Sequence, residues 1–215
     1  ACPKSNAGSK PAAIERMMQR LCVFCGSNAG HDPAYRAAAE ALGRLLAARG
    51  IGLVYGGGNI GLMGAVADAC LAAGGEAIGV IPEALMGKEV DGRAVDHRTL
   101  TRMEVVDSMH TRKARMAELA DGFVALPGGF GTWDELFETI TTSQTGEHEK
   151  PVGLLNTKNY YKSLIKFFDH VVNEKFTLQE NRDMIHVSKD PAELLQMLRE
   201  YKAPERPHWL DREQT

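Results

Sequence analysis

Short apolar segments alternate with longer segments of helical pattern along most of this chain, and that alternation constrains the fold more than any other feature. We predict strands over residues 21–25, 52–55, 77–81, 103–106, 122–126, 151–155 and 185–187. We predict helices over residues 33–49, 61–73, 109–119, 160–174 and 191–200, with a further helix from Thr132 onward. Strands joined through helices form parallel sheets covered on both faces. The pattern therefore predicts an α/β fold, a doubly wound, mostly parallel, Rossmann-like sheet of about seven strands with helices on both faces.

The length and composition of the chain fit one globular domain. It has 215 residues, of which 44% are hydrophobic and 25% charged, enough for one sizeable core. We assign residues 20–203 to a single domain. Residues 1–19 lack periodicity and are interpreted as a disordered arm, and residues 204–215, broken by Pro204 and Pro207, as an extended tail.

The charge balance indicates a small-molecule ligand rather than a polymer or a membrane. A formal net charge of −3 gives no electrostatic reason to expect binding to nucleic acid or to an anionic membrane. No apolar run approaches the roughly 20 residues that span a bilayer, and the N-terminus lacks the pattern of a signal peptide. We therefore expect a cytoplasmic protein.

The four cysteines have no disulfide-framework spacing, which favours a reducing compartment. Cys22 and Cys25 form a C-x-x-C, but on a predicted strand residues three apart point to opposite faces. We interpret both as buried core residues. The seven histidines are scattered without H-x-x-x-H spacing, and we predict no metal.

The segment 127–138, PGGFGTWDELFE, joins a predicted strand to a predicted helix through a glycine loop. Backbone amides in such a loop, at a helix N-terminus, are suited to bind an anion. Thr132 followed by Glu135 fits a capping box, in which the threonine caps the helix and the glutamate reaches back to it. Glu135 and Glu138 are one turn apart and are expected to line one pocket, while Asp134 complements the helix dipole.

A second glycine loop follows the second predicted strand. Gly56, Gly57, Gly58 and Gly61 formally match G-x-G-x-x-G, but a dinucleotide fold places that motif after its first strand. We favour contact with a phosphate or ribose over a simple turn. Ser27, after the first strand, either joins the same rim or belongs to a turn.

Arg112 and Lys113 lie near the start of the predicted helix 109–119. Cations at a helix N-terminus are electrostatically unfavourable, so their presence there calls for an explanation. An anionic ligand or Glu135 would supply one, and a solvated basic face is an equally good alternative. Residues 83–101, with several charged side chains, form the longest predicted loop and a candidate lid.

Two of these motifs together identify a family. The chain resembles the Lonely Guy (LOG) family of cytokinin-activating nucleoside 5′-monophosphate phosphoribohydrolases, once labelled lysine decarboxylases. The resemblance spans about residues 20–200 and rests on PGGxGTxxE, met by residues 127–135, and on S-M-H-x-R-K, met by residues 108–113. The segments CVFCGSN, VYGGGNIGLMG, VIPEALM and KPVGLLN are also similar to the family's. Trp133 and Asp134 stand where relatives often carry Leu and Glu.

The resemblance implies hydrolysis of the N-glycosidic bond of a nucleoside 5′-monophosphate, either AMP or a cytokinin riboside 5′-monophosphate, to free base and ribose 5-phosphate. It implies Arg112 and Glu135 as the catalytic pair, no cofactor, and a homodimer with helices packed across the interface. Motifs and resemblance together give these candidate substrate-binding residues: Ser27, Gly57, Gly58, Glu89, Lys113, Gly128, Gly129, Phe130, Gly131, Thr132, Asp134 and Thr141.

The residues are compatible with this chemistry. Cleavage of an N-glycoside builds positive charge on the ribose, which a carboxylate such as Glu135 stabilises while it orients or activates water. Arg112 and the loop amides would hold the phosphate or the sugar hydroxyls. Two alternatives remain: a non-catalytic nucleotide or cofactor carrier on the same fold, and an NAD-type oxidoreductase, against which the position of the glycines counts.

Overall fold

A computed structural model describes residues 18–204, except residues 91, 92, 95 and 98. Most of the predicted arm and nearly all of the predicted tail, residues 1–17 and 205–215, lie outside the described residues. The strands are β1 (Arg20–Phe24), β2 (Gly52–Tyr55), β3 (Ala77–Pro82), β4 (Glu89–Val90), β5 (Arg93–Ala94), β6 (Arg102–Val106), β7 (Gly122–Ala125), β8 (Val152–Leu155) and β9 (Ile185–Ser188). The helices are α1 (Pro33–Ala48), α2 (Gly61–Ala72), α3 (Met109–Leu119), α4 (Phe130–Thr145), α5 (Lys162–Asn173), α6 (Gln179–Asp183) and α7 (Pro191–Glu200).

Seven strands form one parallel sheet in the order β6-β3-β2-β1-β7-β8-β9. The predicted doubly wound sheet of seven strands is therefore confirmed. The chain builds outward from β1 through β2 and β3 to β6, and then returns to place β7 on the other side of β1. The strand order thus reverses between β1 and β7, and ligands bind at such a point in open α/β sheets.

Two apolar clusters cover the two faces of the sheet, and β1 contributes to both. Leu21, Val23 and Cys25 belong to the cluster that includes α1 and α2 residues, whereas Cys22 and Phe24 belong to the cluster on the other face. The two cysteines of the C-x-x-C are buried, free and on opposite faces, as strand periodicity predicts. They form part of the core.

Several element boundaries differ from the prediction. Helix α5 begins at Lys162 rather than residue 160 because Lys158 and Asn159 have positive φ values of 55° and 61° and form a separate 3₁₀ turn. The short helix α6 and the antiparallel hairpin β4–β5 were not predicted. Two-residue strands and a five-residue helix are too short to produce a periodic signal.

The predicted lid, residues 83–101, contains that hairpin and is fixed at its C-terminal end. The His97 amide donates to the Gly57 carbonyl at 3.0 Å, and Asp96 forms a bridge with Gly58. The His97 ring also lies 3.1 Å from the Asp68 carboxylate of α2. This end of the segment is therefore docked on the second glycine loop.

Within the described residues, no helix is long and apolar enough to cross a membrane.

Candidate active site

A cavity of about 410 Å³ opens where the carboxyl ends of β1 and β7 lie side by side. The Gly26 amide donates to the Pro127 carbonyl at 3.1 Å, and the Leu62 amide donates to the Gly26 carbonyl at 3.0 Å. The loops after β1 and β7 and the start of α2 are thereby joined. The lining residues come from β1, from the loops after β1, β2, β7 and β8, and from α1 to α4: Val23, Cys25, Gly26, Ser27, Asn28, Ala29, Gly30, Tyr35, Gly56, Leu62, Met63, Arg112, Pro127, Gly128, Gly129, Phe130, Gly131, Thr132, Glu135 and Tyr160.

The predicted capping box is wrong. Helix α4 begins at Phe130, its N-cap is Gly129, and no side chain caps it. Thr132 and Glu135 therefore both lie inside the helix, and Glu135 does not reach back to cap it. The helix therefore begins two residues before Thr132, the residue at which the sequence pattern placed its start. A glycine N-cap leaves the first-turn amides without a competing side-chain acceptor.

The glycines of this loop serve two different purposes. A Cβ at Gly128 would lie 2.1 Å from the Thr132 hydroxyl, so packing within the loop requires a glycine there. A Cβ at Gly129 or Gly131 would have no atom within 4 Å, and neither residue has a positive φ. The fold does not itself require glycine at these two positions. They leave open space beside the first turn of α4, where an anion approaches backbone amides most closely.

Glu135 is buried on the second turn of α4, with its residue 8% exposed, and it faces the cavity. Burial raises the pKa of its carboxyl to about 7, against the lowering effect of the Arg112 guanidinium. A carboxyl group with this pKa is present in both protonation states near neutral pH. Perturbed carboxyl groups in clefts are frequent at catalytic sites.

Arg112 reaches the same cavity from α3. Its Nη2 lies 3.4 Å from Glu135 Oε1, and its Nε donates to the Val80 carbonyl at 3.1 Å. A Cβ at Gly56 would lie 1.8 Å from Nη2, so the guanidinium occupies the space that any other residue at position 56 would fill. The sequence left open whether an anion, Glu135 or solvent explains this cation, and Glu135 supplies a direct partner.

The buried ion pair can therefore act on a ligand in the cavity. The carboxylate is placed to stabilise positive charge. Arg112 Nε donates to Val80, Nη1 donates to Met109 Sδ at 3.8 Å and Nη2 faces Glu135, so each Nη still has a second N–H that can donate to a ligand. Burial strengthens both effects, because less solvent screens the charges. The first turn of α4 lies on the same cavity and offers backbone donors to an anionic group.

Four of the carboxylate, ammonium and hydroxyl groups considered from the sequence lie outside the cavity lining. Lys113 forms ion pairs with Asp134, at 3.0 Å, and with Glu138. Glu138 thus does not share the pocket of Glu135, contrary to the expectation from their spacing. The Thr141 hydroxyl donates to the Phe137 carbonyl at 2.8 Å. Contact of Lys113, Asp134 and Thr141 with substrate remains a prediction.

The remaining predicted residues divide between the cavity and its surroundings. Ser27 and Phe130 line the cavity, and the Phe130 side chain is largely exposed. Gly57 has a φ of 72°, and a Cβ there would lie 3.2 Å from Met103 Sδ and 3.3 Å from Ile81 Cβ. Gly58 is bridged to Asp96, and neither glycine is among the residues that line the cavity. Glu89 lies in β4.

Two tyrosines of the cavity wall were missed from the sequence. Tyr160 follows β8 and Tyr35 lies in the first turn of α1, and their rings meet edge to face at 6.0 Å. A signal was available for Tyr160, because β8 is adjacent to β7 and residues after neighbouring parallel strands meet at one edge of the sheet.

Solved structures share this fold. A molybdenum cofactor carrier protein of Chlamydomonas reinhardtii superposes with a TM-score of 0.60 and 24% identity, over 83% of this chain and 96% of that one. A molybdenum cofactor binding protein of Rippkaea orientalis gives a TM-score of 0.59 and 21% identity, over 84% and 96%. At these identities the similarity extends to the fold alone.

Sequence comparison identifies nearer relatives. A family model described as "Possible lysine decarboxylase" matches residues 63–198. Two cytokinin riboside 5′-monophosphate phosphoribohydrolases of Arabidopsis thaliana are 47% and 48% identical, covering 87% and 86% of this chain and 86% and 82% of their own. A probable enzyme of the same name from Oryza sativa subsp. japonica is 47% identical over 88% of this chain and 74% of its own. The chain therefore belongs to the Lonely Guy family.

Proposed function

We propose that this protein hydrolyses the N-glycosidic bond of a nucleoside 5′-monophosphate, releasing the free base and ribose 5-phosphate. The observation that carries the proposal is the buried Glu135–Arg112 pair, 3.4 Å apart, beside a glycine loop at a helix N-terminus. The names of relatives 47% and 48% identical to the chain support the same activity.

The first turn of α4 is the proposed phosphate site. The amides of residues 129–132 lie at the positive end of the helix dipole, and no side chain caps them. The open space beside Gly129 and Gly131 allows a phosphate to approach the backbone. A phosphate held there would place the attached ribose inside the cavity that Glu135 and Arg112 also line.

Glu135 is the proposed catalytic carboxylate. In its ionised form it stabilises the positive charge that develops on the ribose as the bond to the base breaks, and it orients or activates the attacking water. Arg112 favours that ionised form, since it lowers a pKa that burial raises. The guanidinium also offers donors to sugar hydroxyls or to the phosphate.

The rival function is a non-catalytic carrier. Of the two proteins of similar fold, one is named a molybdenum cofactor carrier and the other a molybdenum cofactor binding protein. Their identities of 24% and 21% carry no functional inference for this chain. A carrier would need the phosphate site, but the buried Glu135–Arg112 ion pair would have no function in it. Burying a carboxylate costs free energy, so the catalytic proposal accounts for more of the site.

We also propose a homodimer in the cytoplasm. Exposed apolar side chains on α5 and the segment after it would be covered by a second copy; they include Phe167, Phe176 and Leu178, which are 56%, 85% and 66% exposed. Sedimentation equilibrium would give twice the chain mass of 23.4 kDa.

The cysteines support the proposed cytoplasmic location. Cys22, Cys25 and Cys70 are free and buried, which fits a reducing compartment.

A substrate panel tests the function. The protein would be incubated with AMP, isopentenyladenosine 5′-monophosphate and adenosine, and free base would be assayed by chromatography. We expect base release from the two monophosphates and none from adenosine, since the phosphate site positions the sugar. Binding of AMP without base release would instead favour the carrier, and equal turnover of adenosine would remove the role given to the loop.

A further inference from the structure

Three consecutive carbonyl groups of the loop after β7 each accept a hydrogen bond from a residue outside that loop. The Tyr161 hydroxyl donates to the Leu126 carbonyl at 2.5 Å. The Gly26 amide donates to the Pro127 carbonyl at 3.1 Å. The Tyr160 hydroxyl donates to the Gly128 carbonyl at 2.5 Å. Hydrogen bonds thus hold three successive peptide groups of the loop that leads into α4.

Fixing a carbonyl also fixes the amide that follows it. The described residues contain no cis peptide bond, and in a planar trans peptide the carbonyl oxygen and the next N–H point in opposite directions. The Tyr160 bond therefore orients the Gly129 N–H away from the Tyr160 hydroxyl. Within the described part of the chain, that N–H donates to no protein acceptor. Gly129 is also the N-cap of α4, so its N–H lies at the positive end of the helix.

Tyr160 is itself held firmly. Its ring meets Tyr35 edge to face at 6.0 Å and Tyr161 at 5.0 Å, and it lines the cavity while remaining 36% exposed. Tyr161 is anchored in turn, because its amide donates to the Asn156 side chain at 2.8 Å. These contacts of the two tyrosines therefore fix the position from which the Tyr160 hydroxyl donates to the Gly128 carbonyl.

We propose that Tyr160 is a positioning residue for the phosphate site: its hydroxyl holds the Gly128–Gly129 peptide so that the Gly129 N–H donates to the substrate's 5′-phosphate. This assignment rests on the proposed function, and it adds a residue outside both motifs that identify the family. A preoriented donor binds an anion more tightly, because the loop loses less conformational freedom on binding. Without the hydroxyl, the peptide is free to rotate and the donor is held less well.

The chain supplies a matched control in the adjacent residue. Tyr161 makes the same kind of bond, but the residue after Leu126 is Pro127, which has no N–H to orient. Tyr160→Phe and Tyr161→Phe each remove one hydroxyl from a tyrosine that bonds the same loop. Only the first is expected to change affinity for phosphate-bearing ligands, whereas the second, in a fully buried tyrosine, is expected to lower the thermal midpoint.

The experiment measures binding of ribose 5-phosphate by titration calorimetry, and AMP hydrolysis by steady-state kinetics, for the wild type and both variants. Tyr160→Phe should raise the Kd for ribose 5-phosphate and the KM for AMP by about fivefold to tenfold, with kcat within about twofold. Tyr161→Phe should leave Kd and KM within about twofold of the wild type. A merely structural loss would lower kcat by reducing the folded fraction and leave KM unchanged.

The assignment is overturned if Tyr160→Phe leaves Kd unchanged, if both variants raise it equally, or if the wild type does not bind ribose 5-phosphate. The proposed function fails separately, when the wild type releases no base from AMP. In that case the calorimetric comparison of the two variants still decides the role of Tyr160.

Discussion

Glu135→Gln should make the stability of this protein less sensitive to pH. The substitution keeps the shape of the side chain and removes its ability to ionise. In the folded protein, burial raises the pKa of Glu135 to about 7 from an ordinary value of 4.5. The folded state therefore retains a proton that the unfolded chain releases, and the wild type loses stability as pH rises from about 4.5 to about 7, with no further loss from this group above that range.

The size of the effect follows from the shift. Raising the pKa from 4.5 to about 7 corresponds to about 3 kcal/mol, at about 1.4 kcal/mol for each unit. Roughly 2 kcal/mol of this loss falls between about pH 5 and about pH 8, because the unfolded group is already partly ionised at the lower value. The free energy of unfolding of Glu135→Gln, relative to that of the wild type, should therefore rise by roughly 2 kcal/mol between about pH 5 and about pH 8.

Urea unfolding at both pH values, at fixed protein concentration, measures the difference. The titrations of other groups cancel when the two proteins are compared at each pH, including that of His148, whose pKa burial lowers to about 4. Glu138→Gln is the matched control: it makes the same change one turn along α4 on an exposed side chain, and it shows how much of the difference comes from removing any carboxylate from this helix. Parallel pH dependence of the wild type and Glu135→Gln would refute the argument that Glu135 is buried with a raised pKa.

Two further predictions concern the partner of this carboxyl. Gly56→Ala places a Cβ 1.8 Å from the present position of Arg112 Nη2, so the guanidinium must move. The value of kcat/KM for AMP should fall by about 10²-fold while the circular dichroism spectrum is retained. Unchanged kinetics would show that the position of the guanidinium is not critical. Arg112→Ala removes the cation that lowers the pKa of Glu135, so an NMR titration of the labelled carboxyl should move to higher pH, and an unchanged or lower midpoint would contradict the pairing.

Most of the fold follows from local sequence patterns. Helices α3 and α7 and strand β2 have the predicted bounds, because each combines a clear periodicity with a clear boundary signal: Ser108 caps the start of α3, Pro191 opens α7, and glycines from residue 56 follow β2. The hairpin β4–β5 lacks such a signal, since its strands are two residues long, and the contacts with the glycine loop at residues 56–58 are made by Asp96 and His97, which follow it. Tertiary contacts of this kind leave little trace in local sequence.

The candidate site was only partly predictable for the same reason. Glu135 and the glycine loop lie together in sequence, and Arg112 was recognised as a cation that needed a partner. The helix start was misplaced because Thr132 and Glu135 have the spacing of a cap, whereas the loop conformation makes Gly129 the cap. Tyr160 contacts Gly128 from 32 residues away, so no local pattern links the two.

The catalytic role of Glu135 is tested most directly by comparing AMP hydrolysis by the wild type and by Glu135→Gln. The wild type should release adenine and ribose 5-phosphate in equal amounts, with kcat/KM rising as pH rises through about 7, since the ionised carboxylate is the active form. Glu135→Gln should bind AMP with similar affinity but release base at least about 10²-fold more slowly. Hydrolysis of AMP by Glu135→Gln at the wild-type rate would contradict the assignment of Glu135 as the catalytic carboxylate.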